Sequence, residues 1–377
     1  MGGEAEDAFW RGAMLASVTR SVFLGGMKQF RSALLALLAL ILAGPAFAAP
    51  APIAIKVVVV TTFEVGEAEG DRPGVFQHWA ERLPLKTKLT VPGIEGPVRM
   101  SEDGVIGLVS GMRGRIRDSV AALILDPRFD FSRTYWLVAG IAGVDPMAAS
   151  PGSAAWAKYV VDADPVFEID DREIPWDWPW GIYSLQTDRP GVKGSALGSS
   201  DMVWALNPKL ADWAYRTTKD VALPDTPELA AYRATFPEAA AKAPPKVMIG
   251  DALATVRYWH GHKRTAWARD WVKLWTEGKG TFVMTDCEDQ GALDVLAKFA
   301  RAKRVDISRV MVLRTGSNFS QEQAEALPAA NPGGAPGDGH GAPGGGLAGF
   351  ESAYRVGAPV VKALVAGWSR YGSATPE

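Results

Sequence analysis

Apolar, β-branched runs recur along this chain at Ile55 to Thr62, Val105 to Ser110, Tyr135 to Gly140, Lys246 to Gly250, Gly280 to Thr285 and Val305 to Arg314, with stretches of helical composition between them. Each run has the length and side-chain type of a buried strand rather than a helix. Alternation of this kind predicts an α/β domain, a sheet covered by helices. Arg117 to Leu125 and Gln290 to Ala302 follow turn signals, and Glu351 to Trp368 carries apolar positions on one side, so these are predicted helices. Ligands of such sheets bind at strand ends, so the residues just past the runs are the candidates for function.

Two segments stand outside the pattern. Met27, Lys28 and Arg31 precede an apolar run from Leu34 to Ala43 that closes on Ala46, Phe47 and Ala48, the layout of a secretory signal peptide. Residues 1–48 are therefore expected to be cleaved, with 1–26 an upstream start extension, leaving a periplasmic or secreted chain that begins near Ala49. The run falls short of the roughly 20 apolar residues a membrane span needs, and no later run reaches that length. Residues 49–377 are expected to form a single domain, with an insertion near 165–190 that holds Trp176, Trp178 and Trp180. From 331 to 346 the chain is mostly Gly and Pro, which predicts a surface loop.

A formal charge of −2 without a basic tract argues against nucleic acid as a partner. The single cysteine, Cys287, excludes an intrachain disulfide, and four scattered histidines argue against a structural zinc site. No metal and no organic cofactor is expected.

Three strings follow one another in the C-terminal half: IGDAL (Ile249 to Leu253), TDCEDQGAL (Thr285 to Leu293) and LRTGSNFS (Leu313 to Ser320). Upstream, YWLVAGIAGVDP (Tyr135 to Pro146) reads as a strand followed by a glycine turn. In this order the strings resemble the nucleoside phosphorylase and nucleosidase superfamily. With EVGEAEGDRPG and WHG, they resemble in particular the purine nucleoside permease family. The resemblance implies a three-layer α/β/α sandwich around a twisted mixed sheet, a purine nucleoside as ligand, and sites that neighbouring subunits often complete in a homo-oligomer.

It also assigns residues. Asn318, read as following a strand and a short turn, carries an amide with both donors and an acceptor, suited to N7 and O6 of a 6-oxopurine. Inosine or guanosine is thereby favoured over adenosine, and Ser317 is grouped with Asn318. Glu288 would accept from the ribose hydroxyls, beside Cys287 where relatives carry Met. Its neighbours Asp286 and Asp289 are read as capping or solvated groups. Ala142 and Gly143 would bring main-chain amides to the ligand. Asp251 and Leu253 match a segment that lies against the purine, with Arg257 to His260 as an aromatic-rich replacement for a missing ring. Glu64 or Glu67, just past the first strand, would activate water.

Phosphorylases of this superfamily hold phosphate with an Arg and a Ser where this chain has Val138 and Ile141, unless Arg113, Arg115 or Arg117 supplies the charge. The expectation is thus an exported protein that binds 6-oxopurine nucleosides and cleaves the N-glycosidic bond in support of uptake, with inorganic phosphate as co-substrate if the reaction is phosphorolysis. The alternative is a noncatalytic nucleoside-binding protein that hands its ligand to a membrane transporter.

Overall fold

Val57 to Val60 are all fully buried, and consecutive β-branched residues dry on both faces are what a central strand of a covered sheet requires. In the computed structural model, which describes residues 50–195, 202–323 and 344–377, they form β1 (Val57–Thr61). The chain continues through β2 (Thr87–Leu89), β3 (Val98–Met100), β4 (Val105–Val109), β5 (Tyr135–Val144), β6 (Ala154–Trp156) and β7 (Tyr159–Asp162). Then come the hairpin strands β8 (Val166–Glu168) and β9 (Ile182–Ser184), followed by β10 (Val203–Ala205), β11 (Val247–Ile249), β12 (Asp251–Ala254), β13 (Phe282–Asp286) and β14 (Val310–Phe319). Helices important here are α1 (Gln77–Arg82), α2 (Arg115–Leu125), α3 (Pro208–Thr218), α4 (His262–Trp275), α5 (Asp289–Arg301) and α6 (Gly345–Ala366).

All of these strands except the β8–β9 hairpin join one 12-stranded sheet, ordered β10-β7-β12-β13-β5-β1-β4-β3-β2, with β14 on β5 and β6, and β11 on β6. It is mixed: β1 runs parallel to β4 and β5, whereas β13 meets β5 antiparallel. Alternate residues of β1 feed two cores. Val58 and Val60 pack with Ile116 and Val120 of α2 and Leu293 and Leu296 of α5. Val57 and Val59 pack with Trp79 of α1, Leu210 of α3 and Val356 and Val360 of α6. Helices on both faces make the three-layer α/β/α sandwich that the resemblance implies.

Boundaries differ from expectation where the sequence offered only glycine as a clue. The run at Tyr135 continues as strand through Gly140 and Gly143 to Val144, with no glycine turn. Strand β5 pairs with β1 along Tyr135 to Val138, and its far end at Gly143 and Val144 takes on β13. The glycines are required by these crossings: a Cβ on Gly140 would lie 2.5 Å from the Arg314 guanidinium, and one on Gly143 3.0 Å from the Thr285 methyl.

Residues 1–48, where the signal peptide is expected, lie outside the described residues, as do 331–343 of the Gly/Pro-rich stretch. Gly345 and Gly346, expected in that loop, instead form the first turn of α6 behind Gly344, whose φ is +71°. Residues 52–377 form one unit.

Candidate functional site

Strand β14 pairs in parallel with β5 from Val310 opposite Trp136 to Gly316 opposite Ala142, then the register slips so that Asn318 faces Gly143. Ser317 is the extra residue. A bulge of this kind re-aims the side chain that follows it. Asn318 therefore lies inside a strand, not after a turn as the sequence suggested, with 8% of its surface exposed. Its Nδ2 donates to the Phe319 carbonyl at 2.9 Å, and its Oδ1 lies 2.9 Å from the Ser317 hydroxyl. The same hydroxyl is 3.2 Å from the Ala142 carbonyl.

The ends of β5, β13 and β14 converge here, and Gly143, Thr285, Asp286, Cys287, Asn318 and Ser320 line one side of a pocket of about 30 Å³. Arg257, Tyr258 and Trp259 close the other side. Three residues selected from sequence, Gly143, Cys287 and Asn318, are thus gathered from three separate strings. Ala142 and Ser317 stand directly behind them. The aromatic segment after β12 does reach the site, as a wall shared with Asn318.

Behind Cys287 lies a buried charge cluster. Arg314, 1% exposed, places Nη2 2.5 Å from Asp289 Oδ1 and 3.2 Å from Asp286 Oδ1, and Nη1 3.3 Å from Glu288 Oε2. Asp286 Oδ1 also accepts from the main-chain amides of Glu288 and Asp289 at 2.9 and 2.8 Å, so Asp286 closes the turn that leads into α5, whose N-cap position is Glu288. Asp289, expected to be a capping or solvated residue, is fully buried against the guanidinium instead. One cation facing three carboxyl groups leaves them crowded. Burial pushes Glu288 and Asp289 above the ordinary carboxylate range, with Arg314 opposing and Asp286 adding to the shift. Burial likewise raises the Cys287 thiol, helped by Glu288 and Asp286, so Cys287 stays neutral and serves as a small apolar wall. Arg314 is the residue that reading by strings passed over. Its signal was available: a lone arginine in VMVLRTG (Val310 to Gly316) lies within a run read as buried strand and must find a buried partner.

A family model described as purine nucleoside permease (NUP) matches residues 54–376. The chain belongs to the purine nucleoside permease family. A probable purine nucleoside permease of Schizosaccharomyces pombe is 31% identical over 259 residues, covering 67% of this chain and 72% of the relative. A purine nucleoside permease of Candida albicans is 30% identical over 253 residues, covering 64% of this chain and 62% of its own length. Among solved structures, a 5′-methylthioadenosine/S-adenosylhomocysteine nucleosidase from S. pneumoniae with a transition-state inhibitor superposes at a TM-score of 0.48 and 11% identity, over 83% of this chain and 99% of that one. Among the described residues of this permease-family chain, no helix is long and apolar enough to cross a membrane.

Other residues selected from sequence are not brought to the pocket. Asp251 sits at the opposite end of β12, where Oδ1 accepts from the amides of Lys158 and Tyr159 at 3.0 and 2.8 Å and Oδ2 from Thr281 at 2.7 Å. Its carboxylate ties three chain segments together. Leu253 is fully buried with Trp267, Trp271 and Phe282, on the side of the sheet that α4 covers. Val138 is core, and Ile141 packs against Gly349 of α6.

Glu64 borders a separate cleft of about 710 Å³ with Thr62, Ser110 and Arg113. Both of its oxygens are engaged: Oε1 accepts from Val65 and Gly74, and Oε2 from Phe76 and Gln77 at 2.8 and 2.5 Å. It pins the loop that enters α1. Replacing it with Ala strands those amides, and chemical denaturation is expected to show a loss of about 1–3 kcal/mol; unchanged stability would mean that the loop does not need the carboxylate. Glu67 is exposed, its amide bonded to Asp71. Of the three nearby arginines, Arg117 pairs with Asp294 and Arg115 with Glu95. The Arg113 charge acts on Cys287, and its main chain opposes the upward shift of Glu288.

Proposed function

We propose that this chain binds 6-oxopurine nucleosides, inosine or guanosine, at the pocket between Asn318 and Trp259 and cleaves their N-glycosidic bond outside the membrane, in support of nucleoside uptake. The observation that carries this reading is the pinned amide of Asn318 in one pocket with Gly143 and Cys287. Ser317 holds Oδ1, and the Phe319 carbonyl takes one Nδ2 hydrogen. The second N–H remains for a ligand acceptor; O6 of a 6-oxopurine supplies one where adenine carries a 6-amino donor, while N7 accepts in both.

As the glycosidic bond breaks, negative charge gathers on the purine, so a donor fixed beside it binds the transition state better than the ground state. Glu288, steadied by Arg314, follows Cys287 in the chain and would accept from the ribose hydroxyls. With its acceptor positions taken by four main-chain amides, Glu64 has none left for a water, so Glu67, the exposed acid of the two, is the one that would activate it. Ala142 and Ser317 act from behind, by setting the Asn318 amide. Delivery to a transporter without cleavage is the second reading, favoured by the same saturation of Glu64 and by Val138 and Ile141 at positions where phosphate would need polar groups.

The test is chromatography of the chain incubated with inosine, guanosine and adenosine, each with and without phosphate. Free base without phosphate identifies a nucleosidase, and base only with phosphate a phosphorylase. Intact nucleosides with calorimetric binding leave the capture reading. Neither binding nor product for any nucleoside would overturn both.

A further inference from the structure

Pockets for small organic ligands usually run to about 300–1,000 Å³, whereas the space between Asn318 and Trp259 is about 30 Å³. One wall of it, Gly143, Thr285 and Asn318, belongs to three strands paired in a single sheet. The facing wall, Arg257 to Trp259, has no strand or helix. Its outer side meets solvent, with Tyr258 49% and Val256 37% exposed. It ends at Gly261, whose φ of +123° precedes α4. That backbone conformation suits glycine and suits a pivot.

We infer that residues 256–261 are a cover that swings to admit the ligand, and that Glu168, outside the pocket on the β8–β9 hairpin, is a positioning residue that clasps this cover shut. The inference rests on the pocket reading above. Glu168 accepts from two arginines at once: Oε2 from Arg257, which lies in the cover, and Oε1 from Arg264 of α4 at 2.7 Å. The helix end of this bridge is fixed, because Arg269 of α4 makes a bidentate pair with Asp145 at 2.6 and 2.7 Å and Trp271 donates to the Asp162 carbonyl. At the pivot end, the Gly261 amide bonds to the Ser320 carbonyl at 3.0 Å and His260 Nε2 lies 2.7 Å from Glu322 Oε1. The two ends differ in character. The His260 and Glu322 side chains are 12% and 4% exposed, whereas Glu168 is 37% and Arg257 44%. The Val256 amide is bonded to Asp164 at 3.0 Å and Trp259 packs on Trp267 and Phe282, whereas an exposed ion pair exchanges its partners for water at little cost, so the Arg257–Glu168 contact is the one that lets go. The aromatic insertion thereby carries the clasp.

The experiment compares the full chain with its Glu168→Gln and Arg264→Met variants. Hydrogen exchange of amides 256–260, measured without ligand, is expected to quicken roughly fivefold in both, with global unfolding unchanged. Stopped-flow binding of inosine is expected to show association and dissociation rising together, so that Kd moves less than either rate. A Glu168→Asp variant, which keeps the charge, should fall between the parent and Glu168→Gln. Exchange at 256–260 that matches the parent in both variants overturns the clasp. Faster exchange with unaltered inosine rates overturns the gating role. If inosine binds none of these proteins, the pocket reading fails, and the exchange result still decides whether Glu168 fastens the segment.

Discussion

Arg314→Met is expected to destabilise this protein by about 3–5 kcal/mol, the cost of leaving buried charge without its partner. The guanidinium is 1% exposed and lies within 3.3 Å of Asp286, Glu288 and Asp289. Met fills similar volume but compensates none of them. The loss should depend on pH. Burial already holds Glu288 and Asp289 above the ordinary carboxylate range, and Arg314 is the largest opposing influence. Groups raised in the folded state bind more protons folded than unfolded, so their stability is present below the unfolded value and lost as pH rises through the folded one. Removing Arg314 raises both groups further. Urea denaturation should therefore show a larger deficit at pH 8 than at pH 5. A deficit equal at the two values would mean that the carboxyl groups do not lean on Arg314.

Asn318→Ala is expected to lower base release from inosine by about 10²- to 10³-fold, the range for removing one preorganised donor from a site of developing charge. Kinetics should place the loss mainly in kcat, since the ribose would still meet Glu288. Asn318→Asp tests the base preference separately: a carboxyl accepts from a 6-amino group, so the ratio of adenosine to inosine use should rise. Turnover on inosine that survives Asn318→Ala would remove this residue from the mechanism. If the protein captures without cleaving, the same substitution should appear as weaker inosine binding.

Six of the twelve strands of the central sheet, among them β5, β13 and β14 at the pocket, were legible in sequence, because a run such as Val57 to Val60 has one stable home, a strand dry on both faces. The site was legible in part. Cys287 and Asn318 stood out by their strings and do share a pocket. Asp251 stood out equally and lies elsewhere, since the amides that engage it come from residues 158, 159 and 281, which no local pattern connects. Glu64 has the position of a water activator by order along the chain, but main-chain amides up to thirteen residues away claim its oxygens.

Residue order alone was enough to establish that apolar runs of strand length would be covered by helices, and which side chains were available at the strand ends. Where those side chains point was settled only when distant strands paired. A bulge at Ser317 turns Asn318 toward Gly143 because β14 must match a partner strand with one residue fewer. The Asp286 turn and the Arg314 cluster exist because β13 and β14 pair with opposite edges of β5, and Glu168 bridges Arg257 and Arg264 across an insertion. Local pattern fixes which face a residue prefers; pairing between distant strands fixes what it meets there.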